Sequence, residues 1–463
     1  MPKRQICENL HFDSAKDKLI LTIPSNHYST INMRELCQIH YKYFPPNVIK
    51  KVGDTYIICK SLSISNGKSS EESKKCEVKA RLCFSYIIFG EVDSKDSLRI
   101  DFQHCKFHKR VYFTNCEFNA NVFFNHAVFE RYADFHESIF NGVVSFYNAE
   151  FKSASNFSTC VFQNLQATNF INVKIESLDF DKILYFIAER INDDTYKKEV
   201  KSLKEKYSQK LQESKENQYK IDKKYKEDKK EITKEHRIRY ASNARDSFRT
   251  IKNVLIANNN LLDASTWHKL ELYAKEYELK LKKPCLLTAP KKWCDLWQLK
   301  FYRKTSAHHT DLLKIWHTLI VLNGVFGILF GLIVLFSHCQ IDFVKCVDLG
   351  LNCYEYQCKN LYEIYNNFGK ACINIILSLF FIVPFLCVVM WEISRIVFIA
   401  ISYVASSVIL ITNPKYLFPT VSLFEKNENF SHIATISAIY TFFFILVVFS
   451  LQKTARKNSI IPN

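Results

Sequence analysis

Between Asp101 and Phe162 the chain reads DFQHCKFHKRVYFTNCEFNANVFFNHAVFERYADFHESIFNGVVSFYNAEFKSASNFSTCVF, and phenylalanine recurs in it on two interleaved ladders. One ladder is Phe102, Phe113, Phe124, Phe135, Phe146 and Phe157; the other is Phe107, Phe118, Phe129, Phe140, Phe151 and Phe162. Both advance by eleven residues. Two positions before the second ladder stand Cys105, Cys116, Ala127, Ser138, Ala149 and Cys160; two before the first stand Ile100, Val111, Val122, Ala133, Val144 and Ser155. Small or aliphatic, polar, then phenylalanine is the period-2 signature of a strand with one buried face. A helix, at about 3.6 residues per turn, would scatter the same positions around its axis.

A short fixed period marks a solenoid, whose repeats bury their apolar faces only on one another. Steps of five and six residues cannot hold ordinary strands and hairpins, so each step reads as one side of a coil, and four sides make a turn that carries Phe102 to Phe124. Phe102, Phe124 and Phe146 are then expected to stack, as are Phe113, Phe135 and Phe157, with successive coils about 4.8 Å apart.

The small-x-Phe units, Cys105-Lys-Phe107, Cys116-Glu-Phe118, Ala133-Asp-Phe135, Ser138-Ile-Phe140, Ala149-Glu-Phe151 and Cys160-Val-Phe162, resemble those of the pentapeptide-repeat proteins. That resemblance implies a right-handed quadrilateral β-helix. The chain departs from the family pattern in two ways. Alternate repeats carry six residues, which implies a bulged corner, and the register loosens after Phe162, where Thr168 and Val173 take the ladder positions before Phe170 and Phe180.

Outward from the repeats, 463 residues leave room for two or three domains. The boundaries expected are a β-rich cap over 1–97, the β-helix over 98–182, a long charged helix or coiled coil over 183–239, a helical hairpin over 240–290 and a membrane domain over 291–463. Met1-Pro-Lys-Arg leads into a polar run, so no cleavable signal is expected. Short apolar runs at 19–23, 55–59 and 83–89 supply the strands of the cap, which covers the open end of the solenoid ladder.

The net charge of +17 suggests nucleic acid or anionic lipid, but its position matters more, because lysine crowds residues 197–234 and the approach to the first apolar span. From Thr195 to Arg239 lysine and glutamate dominate with no proline or glycine, which reads as an exposed helix of roughly 60 Å at ~1.5 Å per residue. Val200, Leu203 and Tyr207 could open a coiled coil, yet the heptad fades before three repeats. Phe248, Ile251 and Leu255 mark one arm of the hairpin, and Leu270, Tyr273, Ala274 and Tyr277 the other. Asn258-Asn259-Asn260 is the turn between them, and Asp263 and Ser265 are the N-cap candidates.

Four apolar stretches are read as spans near 315–336, 371–391, 396–412 and 433–451. Lys291, Lys292, Lys300, Arg303, Lys304 and Lys314 precede the first, Arg395 separates the second and third, and Lys453, Arg456 and Lys457 follow the fourth. The positive-inside rule therefore expects both termini in the cytoplasm of a bacterial inner-membrane protein. The 337–370 loop then faces an oxidising compartment, where Cys339, Cys346, Cys353 and Cys358 are expected to form one or two disulfides of open connectivity. Gly324, Gly327 and Gly331 have the small-xxx-small spacing of close helix contacts, between copies or within one chain.

The sixteen cysteines show no zinc-type CxxC pairs, and His308-His309 lacks the spacing that puts two ligands on one helix face. Cys105, Cys116 and Cys160 read as small core residues, with no two of the three made neighbours by the turn of the coil. With nine glycines and no Walker loop, dinucleotide fingerprint or nucleophile elbow, no cofactor, metal or enzyme activity is expected. The function expected is a non-enzymatic membrane protein whose β-helix presents a scaffold for a protein partner, with membrane lipid as its other partner. The alternative is a homo-oligomeric pore or ion channel regulated through the β-helix, a defence effector being one form of it. Soluble family members mimic DNA to bind gyrase, but mimicry requires an acidic free rod; no nucleic-acid partner is expected here.

Overall fold

A computed structural model describes residues 10–23, 27, 29–65, 76–92, 98–153, 155–175, 179–189, 194–213, 218–344, 372, 375–376, 378–387, 392–412 and 431–458. The chain divides into two compact units, Met1–Leu296 and Trp297–Asn463.

The first unit is built on a β-helix of four parallel sheets, one per side of the coil. Ile100 pairs with Val122 and Val122 with Val144 on one side; Phe107 with Phe129 and Phe129 with Phe151 on another; Phe118 with Phe140 and Phe140 with Phe162 on a third; Val111 with Ala133 on the fourth. Each partner is the one that a four-sided turn expects. The rings follow the backbone. Phe102–Phe124 and Phe124–Phe146 stack at 5.0 and 4.8 Å, and Phe113–Phe135 and Phe135–Phe157 at 5.1 and 4.7 Å. Strand spacing and ring spacing coincide, so each layer adds one ring contact without straining the ladder. The two central columns also meet edge-on, Phe113–Phe124 at 5.5 Å and Phe124–Phe135 at 5.6 Å, in the arrangement that aromatic quadrupoles favour.

The coils begin well before residue 98. Phe84 and Phe89 continue two columns upstream, at 4.8 Å from Phe113 and from Phe118. Leu62 pairs with Ile100, Leu82 with Val111, Leu19 with Leu62 and Ile31 with Leu82. The stretch expected as a separate cap is thus largely solenoid. It is disguised because loop insertions lengthen the turn: Val111 lies beside Leu82 where the strict period would place Phe89, and Ile100 beside Leu62 where it would place Val78. The covering elements are smaller. Antiparallel pairs Leu10–Asp13/Lys18–Thr22 and Ile49–Val52/Thr55–Ile58 edge two of the sheets. Helix Met33–His40, N-capped by Asn32, sends Met33, Leu36 and Cys37 into the core.

On the six-residue sides, where a bulged corner is expected, no residue from 98 to 153 takes a positive φ. The unusual corners lie instead on the five-residue sides, where His104, Asn115, His126, Glu137, Asn148 and Thr159 all have φ near +55°. Each is the third residue of a turn closed by a bond such as Ala127 N–H to Phe124 O at 3.0 Å. Asparagine tolerates this backbone; histidine, glutamate and threonine bear a cost of roughly 1–2 kcal/mol each. After Phe162 the turn grows by two positions. Val144 pairs with Thr168 instead of Gln166, and Glu150 with Lys174 instead of Asn172, so the loosened register is a local insertion.

Helices close the far end. In helix Gln218–Ala257 the residues Phe248, Ile251, Val254 and Leu255 join the core of the solenoid. Ser247 Oγ accepts from Phe157 N–H at 2.8 Å, and Asn258 Nδ2 donates to Thr168 O at 2.7 Å, so exposed ladder groups find partners. Helix Leu261–Lys282 packs back on it through Trp267, Leu270 and Ala274. The hairpin turn falls at 258–260 as expected, but the cap is Asn260. Asp263 sits three residues inside and accepts from Asn260 Nδ2 at 2.8 Å.

The charged stretch is not one extended helix. Helix Asp194–Glu213 doubles back against the first half of Gln218–Ala257, joined by Tyr207 Oη to Asp228 at 2.6 Å, Tyr196 Oη to Thr233 Oγ1 at 3.0 Å and His236 Nε2 to Glu199 at 2.6 Å. The short heptad run is thus the seam of an antiparallel pair within the chain. It fades because, among the described residues, few side chains of the pair are buried, including Tyr207, Ile221 and His236.

In the second unit, helices Leu312–Val344 and Ser431–Asn458 contain, among the described residues, two segments long and apolar enough to cross a membrane, Leu312–Leu329 and Ile436–Ala455. The other two expected spans appear as shorter apolar helices, Ser378–Cys387 and Ile396–Val408, so four spans are not shown. Leu322, Phe326, Phe381, Phe385, Ile436 and Tyr440 form its core.

Candidate ligand-facing surface of the β-helix

The register that stacks phenylalanines inward also stacks the residues between them outward. On one side Lys106, Val128, Glu150 and Lys174 form a column. Beside it the positive-φ corner holds His104, His126 and Asn148. The two imidazoles stack at 4.8 Å within 4° of parallel, and His126 Nδ1 lies 2.9 Å from Asn148 Nδ2. Glu130 and Lys152 edge the other side, with Lys106 3.4 Å from Glu130 and Lys152 3.5 Å from Glu150. Together they line a shallow groove of about 380 Å³ along the rod. A smaller hollow of about 60 Å³ involves Arg110, Arg131, Tyr132 and Phe186 and shares Glu130 and Lys152 with the groove.

This surface has alternating charge, parallel stacked rings and a backbone fixed by the sheet beneath. It suits hydrogen bonding and ion pairing to a polar macromolecular surface. Burial pushes Cys37 and Cys116 up to about 12 and raises Cys160 as well, so these thiols stay protonated. Cys116 Sγ donates to Phe84 O at 2.6 Å.

The twelve ladder phenylalanines all lie in the core, Phe162 being the most exposed at 7%. Cys105 does acquire a thiol neighbour: Cys76, from an upstream coil outside the repeat stretch, pairs with it in register. Their hydrogen bond, together with burial, raises Cys105, while in Cys76 the same hydrogen bond lowers the thiol against the opposing effect of burial. A Cβ on Gly324 would overlap Ser402 of helix Glu392–Thr412, so this glycine makes a close approach within the chain. Gly327 lies on the same helix, as does Gly331, whose side-chain environment is outside the described residues. Cys346, Cys353 and Cys358 lie outside the described residues, as does the environment of Cys339. His309 Nδ1 is 2.6 Å from Ser450 Oγ. Among the described residues no group of three or more histidine, cysteine or acidic side chains is placed to hold a metal.

The inward pattern alone does not single out the groove residues. The same step from coil to coil, applied to His104 and His126 or to Lys106, Val128 and Glu150, finds them.

The family model described as pentapeptide repeats matches nine copies over residues 102–150. No curated protein and no solved structure matches the chain. Repeat, register and four-sided coil agree: residues 102–150 are pentapeptide repeats wound as a β-helix.

Proposed function

We propose that the protein is a non-enzymatic scaffold that presents the groove face of its β-helix to a protein partner while its C-terminal unit holds it to a membrane. The carrying observation is the groove, where in-register columns hold Lys106, Glu150, Lys174, His104 and His126 on a framework closed at both ends. A surface that is rigid before binding loses little conformational entropy on association. The anchor reading is supported by the two membrane-length helices and by the apolar exterior of the second unit, with Ile396 77% and Ile411 83% exposed. Such a surface in water would be an aggregation site. On this reading the basic flanks put both termini in the cytoplasm of a multi-pass inner-membrane protein. Gly324 closes on Ser402 inside the chain, so this contact gives no support to a pore built from several copies.

The test is site-specific photocrosslinking of the full chain in its native membranes, with the probe at Val128 or at Tyr112 on a different side of the coil. A partner captured at Val128 and absent at Tyr112 supports the scaffold, and equal capture at both refutes it. Extraction of the same membranes at alkaline pH tests the anchor, which requires the protein to stay in the pellet.

A further inference from the structure

The most strongly charged surface is not the β-helix. In the antiparallel arm formed by Asp194–Glu213 and the first half of Gln218–Ala257, twelve lysines are exposed among the described residues up to His236, against six exposed carboxylates. The arm's second helix runs about 28 Å from Gln218 to His236 at ~1.5 Å per residue. Like charge along the arm repels itself, and the seam opposing that repulsion is thin, with Tyr207, Ile221 and His236 its buried members among the described residues. Such an arm gains stability from a polyanion laid along it.

We propose that this arm is a docking surface for the anionic headgroups of a lipid bilayer. Three observations choose lipid over nucleic acid. From Asp194 to His236 the arm contains no arginine, the side chain suited to bidentate recognition of phosphate and base edges; lysine offers point charges of the kind that hold polybasic segments to a membrane surface. Tyr219 is its one large exposed apolar or aromatic residue among those described, so there is no platform on which bases would stack. The same chain carries membrane-length helices preceded by Lys291, Lys292, Lys300, Arg303, Lys304 and Lys314, which keeps the whole molecule at a bilayer of complementary charge. The inference rests to this extent on the anchor reading.

The test uses the full chain reconstituted in vesicles of neutral phosphatidylcholine, or of the same lipid with about 30 mol% phosphatidylglycerol. A membrane-impermeant acetylating reagent and mass spectrometry then read each lysine. Anionic vesicles should slow acetylation of the arm lysines by about threefold or more, and the difference should vanish near 1 M salt, where the screening length falls to ~3 Å. The combined Lys223→Gln, Lys224→Gln, Lys229→Gln and Lys230→Gln variant should lose most of the slowing at its remaining arm lysines. Equal reactivity in both vesicles from a chain that resists alkaline extraction overturns the proposal and leaves the anchor standing. A chain that washes off at alkaline pH yet floats with anionic vesicles at neutral pH, its arm lysines slowed, sustains the proposal and removes the anchor. Stronger protection by a single-stranded oligonucleotide than by anionic vesicles overturns it in favour of nucleic acid.

Discussion

Phe124 sits at the centre of the aromatic core, and replacing it by alanine tests whether stacked rings carry the rod. The residue is 0% exposed. Its ring has parallel neighbours above and below, Phe102 at 5.0 Å and Phe146 at 4.8 Å, and meets Phe113 and Phe135 edge-on. Truncation removes roughly 100 Å² of buried apolar surface, or about 2.5 kcal/mol at ~25 cal/mol per Å². The unfilled cavity and lost ring pairs bring the cost to about 4 kcal/mol, inside the usual range for a buried phenylalanine. Phe162, at 7% exposure with a stacked partner at 5.1 Å on one side only, should cost about half as much. Hydrogen exchange of the full chain reads both changes locally. For Phe124→Ala, amides of the adjoining coils should lose roughly 10³-fold protection, with the loss fading along the rod because each coil touches only its neighbours. Equal effects at Phe124 and Phe162, or a loss spread evenly over the β-helix, would refute the nearest-neighbour stacking argument.

Acid should loosen the helical cover through Glu271. Burial pushes its pKa up, but hydrogen bonds from His268, Lys252 and Arg249 outweigh that and hold the carboxyl at about 2. Because the folded value lies below the unfolded one, the stabilisation, roughly 3 kcal/mol, is present above pH ~4.5 and is lost as pH falls towards 2. Thermal unfolding followed by circular dichroism should therefore drop less over that window in Glu271→Gln than in the wild type. Thiol reagents should modify the exposed Cys285 and Cys294 first and leave Cys37, Cys116 and Cys160 untouched until the fold is denatured; early labelling of Cys116 would contradict its burial. Gly324→Val should destabilise the second unit by about 1–3 kcal/mol through overpacking against Ser402, and Ser402→Gly in the same chain should recover part of it. A thermal shift in detergent measures both. Ser247→Ala leaves Phe157 N–H without its acceptor at the end of the ladder and should cost about 1–3 kcal/mol, read as faster exchange at that amide.

The β-helix is legible because its core obeys a strict period, and a period survives without any knowledge of tertiary contacts. Where insertions break that period, legibility fails: Phe84 and Phe89 belong to the same columns as Phe113 and Phe118, but the longer turn between the two pairs hides the relation. The charged helix misleads for a related reason. The sequence between its two helices carries no proline or glycine, and its seam depends on polar pairs such as Tyr207 with Asp228 that no hydrophobic pattern announces. Asp263 suggests itself as a cap on residue type alone, whereas the choice of Asn260 depends on where the preceding helix stops, a matter of packing on the solenoid end. Of the candidate site, the sequence holds every residue of the groove but no reason to group them until the coil fixes which side chains share a face.

A rod whose side walls repeat at a constant step can change length without being redesigned. Excising residues 112–133 would remove one complete turn, carry the chain from Val111 directly to Asp134, and rejoin strands already in register, with Phe102 and Phe146 brought into the contact each now makes with Phe124. The molecule would be shorter by one strand spacing, about 4.8 Å, with its end covers and its lysine arm unaltered. Reach is thus adjustable in fixed increments, and repeat number works as a gauge of how far the two ends of the β-helix stand apart.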